Sequence, residues 1–358
     1  MQQQIFRGDN TIGSIKDVLQ QHGHNKPLLL IGEHLWQQRS SLFPFEYHVY
    51  LKQKVNVLQE EIDQLSLFFN DCKATAIIAI GGGSVIDLAK AVVFDTVTNK
   101  GWLPFLICAP TTAGSGSEAT CFSVIYQNGV KLSLNTPELL PQVVILDPAL
   151  TYTLSPQQTA ISGIDALSQA IESFWNVHAN AGSKSFSAAS ISILMEHLPA
   201  AVTAPNPVIR EKILWAAHLA GKAINITRTT GPHALSYYLT ANYQVPHGQA
   251  VALFLPLFFL YNSTFDKLDS NPLTDANKVA ATLQELYSLL GVVDAAAAAK
   301  YLQAFIKKLG LAVTLGELGI DKHSVIAPLL ESVNSERFGN NPMVFNESVL
   351  KEFCLSYL

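Results

Sequence analysis

"AIIAIGGGSVIDLAKAV", residues 76–92, decides how the first half of the chain is read. Ala76 to Ile80 form a short unbroken apolar run, the pattern of a strand buried on both faces, and the residues after Ser84 take up helical spacing. Between them stand Gly81, Gly82 and Gly83. A strand, a glycine turn and a helix let a phosphate approach bare backbone and meet the unpaired N–H groups and positive dipole end of the helix. A tight strand-to-helix turn would use the same glycines, and the spacing is not GxGxxG, so this stretch alone leaves both readings open.

Working outward, "PLLLIG" at 27–32, "YHVYL" at 47–51, "FLICAP" at 105–110 and "QVVILDP" at 142–148 repeat the strand pattern, with helical periodicity between them. Strands alternating with helices imply a parallel sheet. After about residue 155 the strand pattern stops and Ala/Leu/Ile-rich helical patterns take over, among them "SAASISILMEHLPAAV" and "ILWAAHLAGKAINI". Pro156 is placed for the first turn of a helix. The expectation is an α/β domain over 1–154 and an all-helical domain over 155–358. A second loop, "APTTAGSGSE" at 109–118, also follows a strand and gathers Thr111, Thr112, Ser115 and Ser117. Two such loops at the carboxyl ends of parallel strands face one crevice, which favours cofactor binding by Gly81, Gly82, Gly83, Ser84 and these hydroxyls.

Composition narrows the class. Of 358 residues, 49% are hydrophobic and only 14% charged, so much surface is buried, part of it between subunits. A net charge of -5 provides no basic stripe for nucleic acid. Cys72, Cys108, Cys121 and Cys354 have no CxxC spacing and read as reduced thiols of a cytoplasmic protein. "MQQQIFRGDNTIGSI" lacks the basic and apolar regions of a signal peptide, and the longest apolar run, "VALFLPLFFLY" at 251–261, is too short to span a bilayer. It reads as a buried helix, and no membrane partner is expected.

In "GIDALSQAIES", residues 163–173, Asp165 and Gln169 stand four apart on one helical face. An Asp in a first helical turn is more often a simple dipole partner. "GPHALSYYLTANYQVPHG", residues 231–248, adds His233 and His247, fourteen positions apart. A carboxylate, two imidazoles and an amide oxygen together make a divalent-metal set.

The ordered set GGGS, PTTAGSGSE, GIDALSQAIE and the two histidines ending in PHG resembles the iron-containing alcohol dehydrogenase family, relatives of glycerol dehydrogenase and dehydroquinate synthase. The resemblance spans nearly the whole chain. It implies a dehydroquinate synthase-like architecture: an α/β nucleotide-binding N-terminal domain, an all-α C-terminal domain, and a metal in the cleft between them. By the same resemblance Asp165, His233 and His247 are metal ligands, Fe2+ or Zn2+ is the ion, and Asp87 and Lys131 join the cofactor residues. Glu33 stands where the family reads the adenosine ribose; a carboxylate there favours NAD(H), with NADP(H) the alternative. A cytoplasmic homodimer acting on a small aldehyde or alcohol is the expected form.

Two positions depart from the family pattern. Gln169 stands where a histidine ligand is usual, and Tyr237 where another histidine is usual. An amide oxygen is a weaker ligand than imidazole, so the departures leave the metal's identity open. Tyr237 reads either as a proton relay or as packing. "AGKAINITRTTGPHALSYYL" resembles a branch of the family that reduces phosphonoacetaldehyde. Arg228, five residues before His233, offers a planar fork to a phosphonate or carboxylate; the alternative is a structural arginine. Lys184, where the family often has Asp, is a second candidate for that anion. His178 and His218 receive no role. The reading is metal- and nicotinamide-dependent reduction of a small anionic aldehyde, with Asp165, His233, His247 and Tyr237 carrying the chemistry. Its rivals are a general short-chain alcohol or polyol dehydrogenase, a lyase of the dehydroquinate synthase type, and a nucleotide-binding protein that has lost catalysis. The lyase is disfavoured because that group resembles this chain less at its ligand set, which begins with Glu, and because the site here is poor in lysine.

Overall fold

Six parallel strands form one sheet, with an antiparallel hairpin beside it: β1 Gln4–Arg7, β2 Leu28–Gly32, β3 His48–Lys52, β4 Ala76–Gly81, β5 Phe105–Pro110, the hairpin β6 Phe122–Gln127 and β7 Val130–Asn135, and β8 Val143–Leu146. The structure is a computed structural model that describes residues 3–39, 43, 45–127, 130–265 and 268–358. The sheet order is β1-β8-β5-β4-β2-β3, which puts the glycine-ended strand β4 between β5 and β2. Alternate residues of the inner strands feed two cores. Leu28, Leu30, Ile77, Ala79, Leu106 and Cys108 join one cluster, while Leu29, Ile31, Ile78, Ile80, Ile107 and Ala109 join the other. Burial on both faces is why these strands read as unbroken apolar runs.

Strand β1 and the hairpin β6–β7 were not expected from sequence. "QIFR" is half exposed at the sheet's edge, and the hairpin strands mix polar and apolar residues, so neither shows the apolar run that marks the inner strands. Strand β8 is shorter than 142–148 because Asp147 caps a 3-10 turn, its carboxylate accepting from the Ala149 amide at 3.0 Å.

The chain divides into two units, Met1–Leu154 with Asn206–His218, and Ser155–Pro205 with Leu219–Leu358. The segment Asn206–His218 is therefore a departure from the domain expected over 155–358. It is the first part of one helix, Pro207–Thr227.

Helix α5, Pro156–Trp175, opens the second unit: Ser155 Oγ accepts from the Gln158 amide at 3.1 Å and Pro156 occupies the first turn. It is buried along most of its length, and its small residues admit close neighbours. At Gly163 an added Cβ would lie 2.2 Å from the Leu198 side chain on α6, Ala181–Thr203. Helix α8 is Gly231–Tyr243, and α9, His247–Tyr261, is the apolar helix expected at 251–261. A Cβ at Gly248 would lie 2.0 Å from the Ile161 carbonyl oxygen and 3.1 Å from Asp165 Cβ. The start of α9 thus lies directly on the α5 backbone, and no larger residue fits. No single helix among the described residues is long and apolar enough to cross a membrane, and no disulfide joins the four cysteines.

This close approach yields a test. Gly248→Ala forces its added methyl against the Ile161 carbonyl, so its unfolding free energy falls by about 1–3 kcal/mol. Gly13→Ala, at an exposed site where an added Cβ has nothing within 4 Å, changes it by less than about 0.5 kcal/mol. Chemical denaturation midpoints compare the two.

Candidate metal centre and cofactor loops

In the first unit, Gly81 ends β4, Gly82 caps the helix α4, Gly83–Lys100, and Ser84 lies in its first turn. The first-turn N–H groups of a helix have no partner within it. Side chains at Gly81 and Gly83 would collide with the helix itself or with the second loop: a Cβ at Gly83 falls 2.7 Å from Ser115 Oγ, and one at Gly81 falls 2.3 Å from a Val85 methyl. The Thr111 amide donates to the Gly81 carbonyl at 3.0 Å, and Thr112 flanks Gly82. Gly81, Gly82, Gly83, Ser84, Thr111, Thr112 and Ser115 are therefore one neighbourhood at the carboxyl ends of β4 and β5. Glu33, exposed, begins the helix Glu33–Arg39 at the same end of β2.

Two expected cofactor residues, Asp87 and Ser117, face each other. Ser117 Oγ donates to Asp87 Oδ1 at 2.5 Å, and burial pushes the Asp87 carboxyl pKa up, opposed by Lys90, Ser117 and Lys131. Lys131, on β7, acts on Asp87 through its charge. The sequence reading missed Lys90. It is fully buried, and its ammonium donates to the carbonyls of Ser117, Thr120 at 2.6 Å and Phe122 at 3.0 Å. Burial drives its pKa down, and Asp87 pulls it back up. Lys90 lies three residues after Asp87 on one helix face, which was the available signal. His218, given no role from sequence, pairs through Nδ1 with Glu118 Oε1 at 3.2 Å, both buried. Nothing local in the helical pattern marks that partnership.

The second unit gathers Asp165, His233 and His247, each offering a ligand atom, with all three atoms within 4.8 Å of one another. His233 Nε2 is 3.3 Å from Asp165 Oδ1 and His247 Nε2 is 4.0 Å from the same oxygen. Asp165 sits on α5, His233 in the first turn of α8, and His247 at the first position of α9, whose seat on α5 was set by Gly248. The Gln169 side chain donates to Asp165 Oδ2 at 3.4 Å, so it adjoins the cluster.

Glu172, also missed, has no solvent exposure. Its carboxylate accepts from the Thr230 amide at 2.8 Å, Thr230 Oγ1 at 3.0 Å, the His233 amide at 3.3 Å and His233 Nδ1. Burial alone would depress the His233 imidazole, but Glu172 and Asp165 outweigh it and raise the pKa to about 9. With Nδ1–H committed to Glu172, Nε2 is the nitrogen presented to Asp165 and His247. This carboxylate–histidine arrangement orients imidazole ligands in metal sites. One carboxylate and two imidazoles, one of them so supported, fit a divalent ion.

Tyr237 stacks on His247, ring centroids 6.0 Å apart at 22°; burial raises its pKa, and the nearby Arg337 charge pulls it back down. Arg228 follows helix α7, Pro207–Thr227, in the left-handed region, φ 70°. Lys184 is engaged elsewhere, 2.9 Å from Glu285 Oε2 and over the Phe174 ring at 4.8 Å. No described contact brings it to the cluster.

Replacing Glu172 by Gln removes the charge that orients His233 while keeping the side chain's shape. Metal affinity, measured by competition with a chelator, is expected to fall about ten- to a hundredfold. An unchanged affinity would show that Glu172 serves the fold alone.

Comparison with known proteins agrees with this geometry. The family model described as iron-containing alcohol dehydrogenase matches residues 2–148, and the C-terminal model of the Fe-containing alcohol dehydrogenase family matches 159–354. Long-chain-alcohol dehydrogenase 1 of Geobacillus thermodenitrificans is 30% identical over 82% of this chain and 77% of its own. The phosphonoacetaldehyde reductase of Streptomyces viridochromogenes is 30% identical over 75% of this chain and 73% of its own. Among solved structures, the sulfoacetaldehyde reductase of Bifidobacterium kashiwanohense in complex with NAD+ superposes with TM-score 0.86 at 27% identity, covering 99% of this chain and 96% of that one. The chain belongs to the iron-containing alcohol dehydrogenase family, which works with NAD(H) and a divalent metal.

Proposed function

We propose that the protein reduces a small anionic aldehyde to its primary alcohol with NADH, in the manner of a phosphonoacetaldehyde or sulfoacetaldehyde reductase. The observation that carries the aldehyde chemistry is the Asp165, His233 and His247 cluster with Glu172 behind His233. Those three residues hold the divalent ion, with Gln169 beside them. Bound there, the ion supplies Lewis acidity to the aldehyde oxygen. The glycine and threonine loops of the first unit would hold the nucleotide, which would supply the hydride. Tyr237, kept protonated by burial, is the hydroxyl beside His247 that can pass a proton towards the new alcohol.

The anionic end is assigned to Arg228. Its left-handed backbone costs a non-glycine residue about 1 kcal/mol or more, and glycine is the usual occupant after a helix. The conformation is enforced. The Arg228 amide donates to the Ile224 carbonyl at 2.8 Å, while Thr227 Oγ1 and Asn176 Nδ2 donate to the Arg228 carbonyl at 2.9 and 3.3 Å. An arginine retained where glycine is easier points to a use for the guanidinium, five residues from His233. The names of the two anionic-aldehyde reductases among the relatives support this choice.

NADH is preferred to NADPH on two grounds. Glu33 repels a 2′-phosphate. Lys52, a cation on the neighbouring strand, pairs with Gly32 across β2–β3 and is neutralised by Glu61 at 2.7 Å in a buried ion pair.

A charge-assisted contact of this kind is worth about 1.5–3 kcal/mol. Arg228→Ala is therefore expected to lower the ratio of kcat/KM for phosphonoacetaldehyde over propanal by about ten- to a hundredfold. Steady-state assays of the metal-loaded enzyme check this, and the same assays should give a higher kcat/KM with NADH than with NADPH. A wild-type enzyme that prefers propanal would contradict the anionic-aldehyde reading.

A further inference from the structure

Arg337 lies in the short helix α13, Ser335–Phe338, and is only 9% exposed. A guanidinium does not give up its proton, so burial is unfavourable unless an anion compensates it. Among the described residues its one ion pair is with Glu336, at 3.9 Å, whose side chain is 78% exposed. A contact so long and so wet contributes little. The inward carboxylates are committed elsewhere, Glu172 to Thr230 and His233, and Asp165 to His233, His247 and Gln169.

Arg337 stands beside Tyr237, whose pKa its charge pulls down against burial, and the Tyr237 ring lies on the metal-ligand candidate His247. One side chain therefore separates this guanidinium from the cluster. The backbone ties it to Arg228 as well. The Asn340 amide donates to the Arg337 carbonyl at 3.2 Å, and Asn340 Nδ2 donates to the carbonyl of Thr229, the residue after Arg228, at 3.0 Å. The turn carrying Arg337 is fastened to the segment that carries the first anion candidate.

We propose that Arg337 is a specificity-determining residue that binds the anionic group of the substrate together with Arg228. The proposal rests on the anionic-aldehyde reading and adds to it. A phosphonate or sulfonate presents three oxygens, enough for two planar forks, whereas a carboxylate satisfies one. The ligand class is therefore a tetrahedral oxyanion, carried on a two-carbon aldehyde. The substrate supplies the countercharge that no described residue but the exposed Glu336 gives Arg337, and Tyr237 stands beside the guanidinium while the site is empty of substrate.

The test uses the metal-loaded enzyme and two readouts: calorimetric Kd for ethylphosphonate, and the ratio of kcat/KM for phosphonoacetaldehyde over propanal. For Arg337→Met the Kd is expected to rise and the ratio to fall by about tenfold or more, the effect of one charge-assisted contact. Arg337→Lys, which keeps charge but loses the fork, should recover part of each, and Arg337→Gln, which keeps a donor for Tyr237, should not. If Arg337→Met proves insoluble, the Lys and Gln variants carry the comparison. Wild type that binds ethylphosphonate and prefers phosphonoacetaldehyde, with both readouts unchanged in the variants, overturns this proposal alone. Wild type with no such preference overturns the anionic-aldehyde reading, and this proposal with it.

Discussion

The fully buried Glu172 carboxylate joins α5 to the start of α8, and the candidate metal site depends on that joint. A buried carboxylate is tolerated only when it is fully hydrogen-bonded and paired. Here the Thr230 and His233 amides, the Thr230 hydroxyl and the His233 imidazole meet that demand. The same contacts that make Glu172 tolerable also choose which His233 nitrogen looks toward Asp165. Stability and ligand orientation are therefore one interaction, and the second is not available without the first. Gly248 completes the arrangement, since only a residue without a side chain lets α9 bring His247 against α5.

The first unit uses a comparable device. Lys90 is buried under the loop that follows β5, and three carbonyls of residues 117–122 converge on its ammonium. A loop rich in glycine and small hydroxyl residues has little packing of its own, so an internal cation supplies the order that side-chain volume does not. Asp87 adds a second tie through Ser117. In both units a buried charge thus holds the backbone beside the candidate site residues.

What was legible from sequence followed the strength of local pattern. The inner strands were legible because burial on both faces leaves unbroken apolar runs, whereas edge strand β1 and the hairpin strands, exposed on one side, leave none. Asp165, His233 and His247 were found through their motifs, and the structure brings the three together. Glu172 stood in the same quoted motif, seven residues after Asp165 on one face of α5, yet a carboxylate in a helix has many ordinary uses and its partners are some sixty positions away. The His218–Glu118 pair, one hundred residues apart in the chain, was illegible for the same reason. Lys184 shows the opposite case: a cation at a suggestive position whose charge the fold commits to Glu285, a partner no local pattern announces.

The central claim is that Asp165, His233 and His247 form one metal site with His233 coordinating through Nε2. X-ray absorption at the metal edge, on protein reconstituted with one equivalent of Fe2+ or Zn2+, tests it most directly. The expected spectrum contains scattering from two imidazoles and from oxygen at about 2.0–2.2 Å, falling to one imidazole in His247→Ala. A spectrum of oxygen scatterers alone, or one that His247→Ala leaves unchanged, would contradict the account.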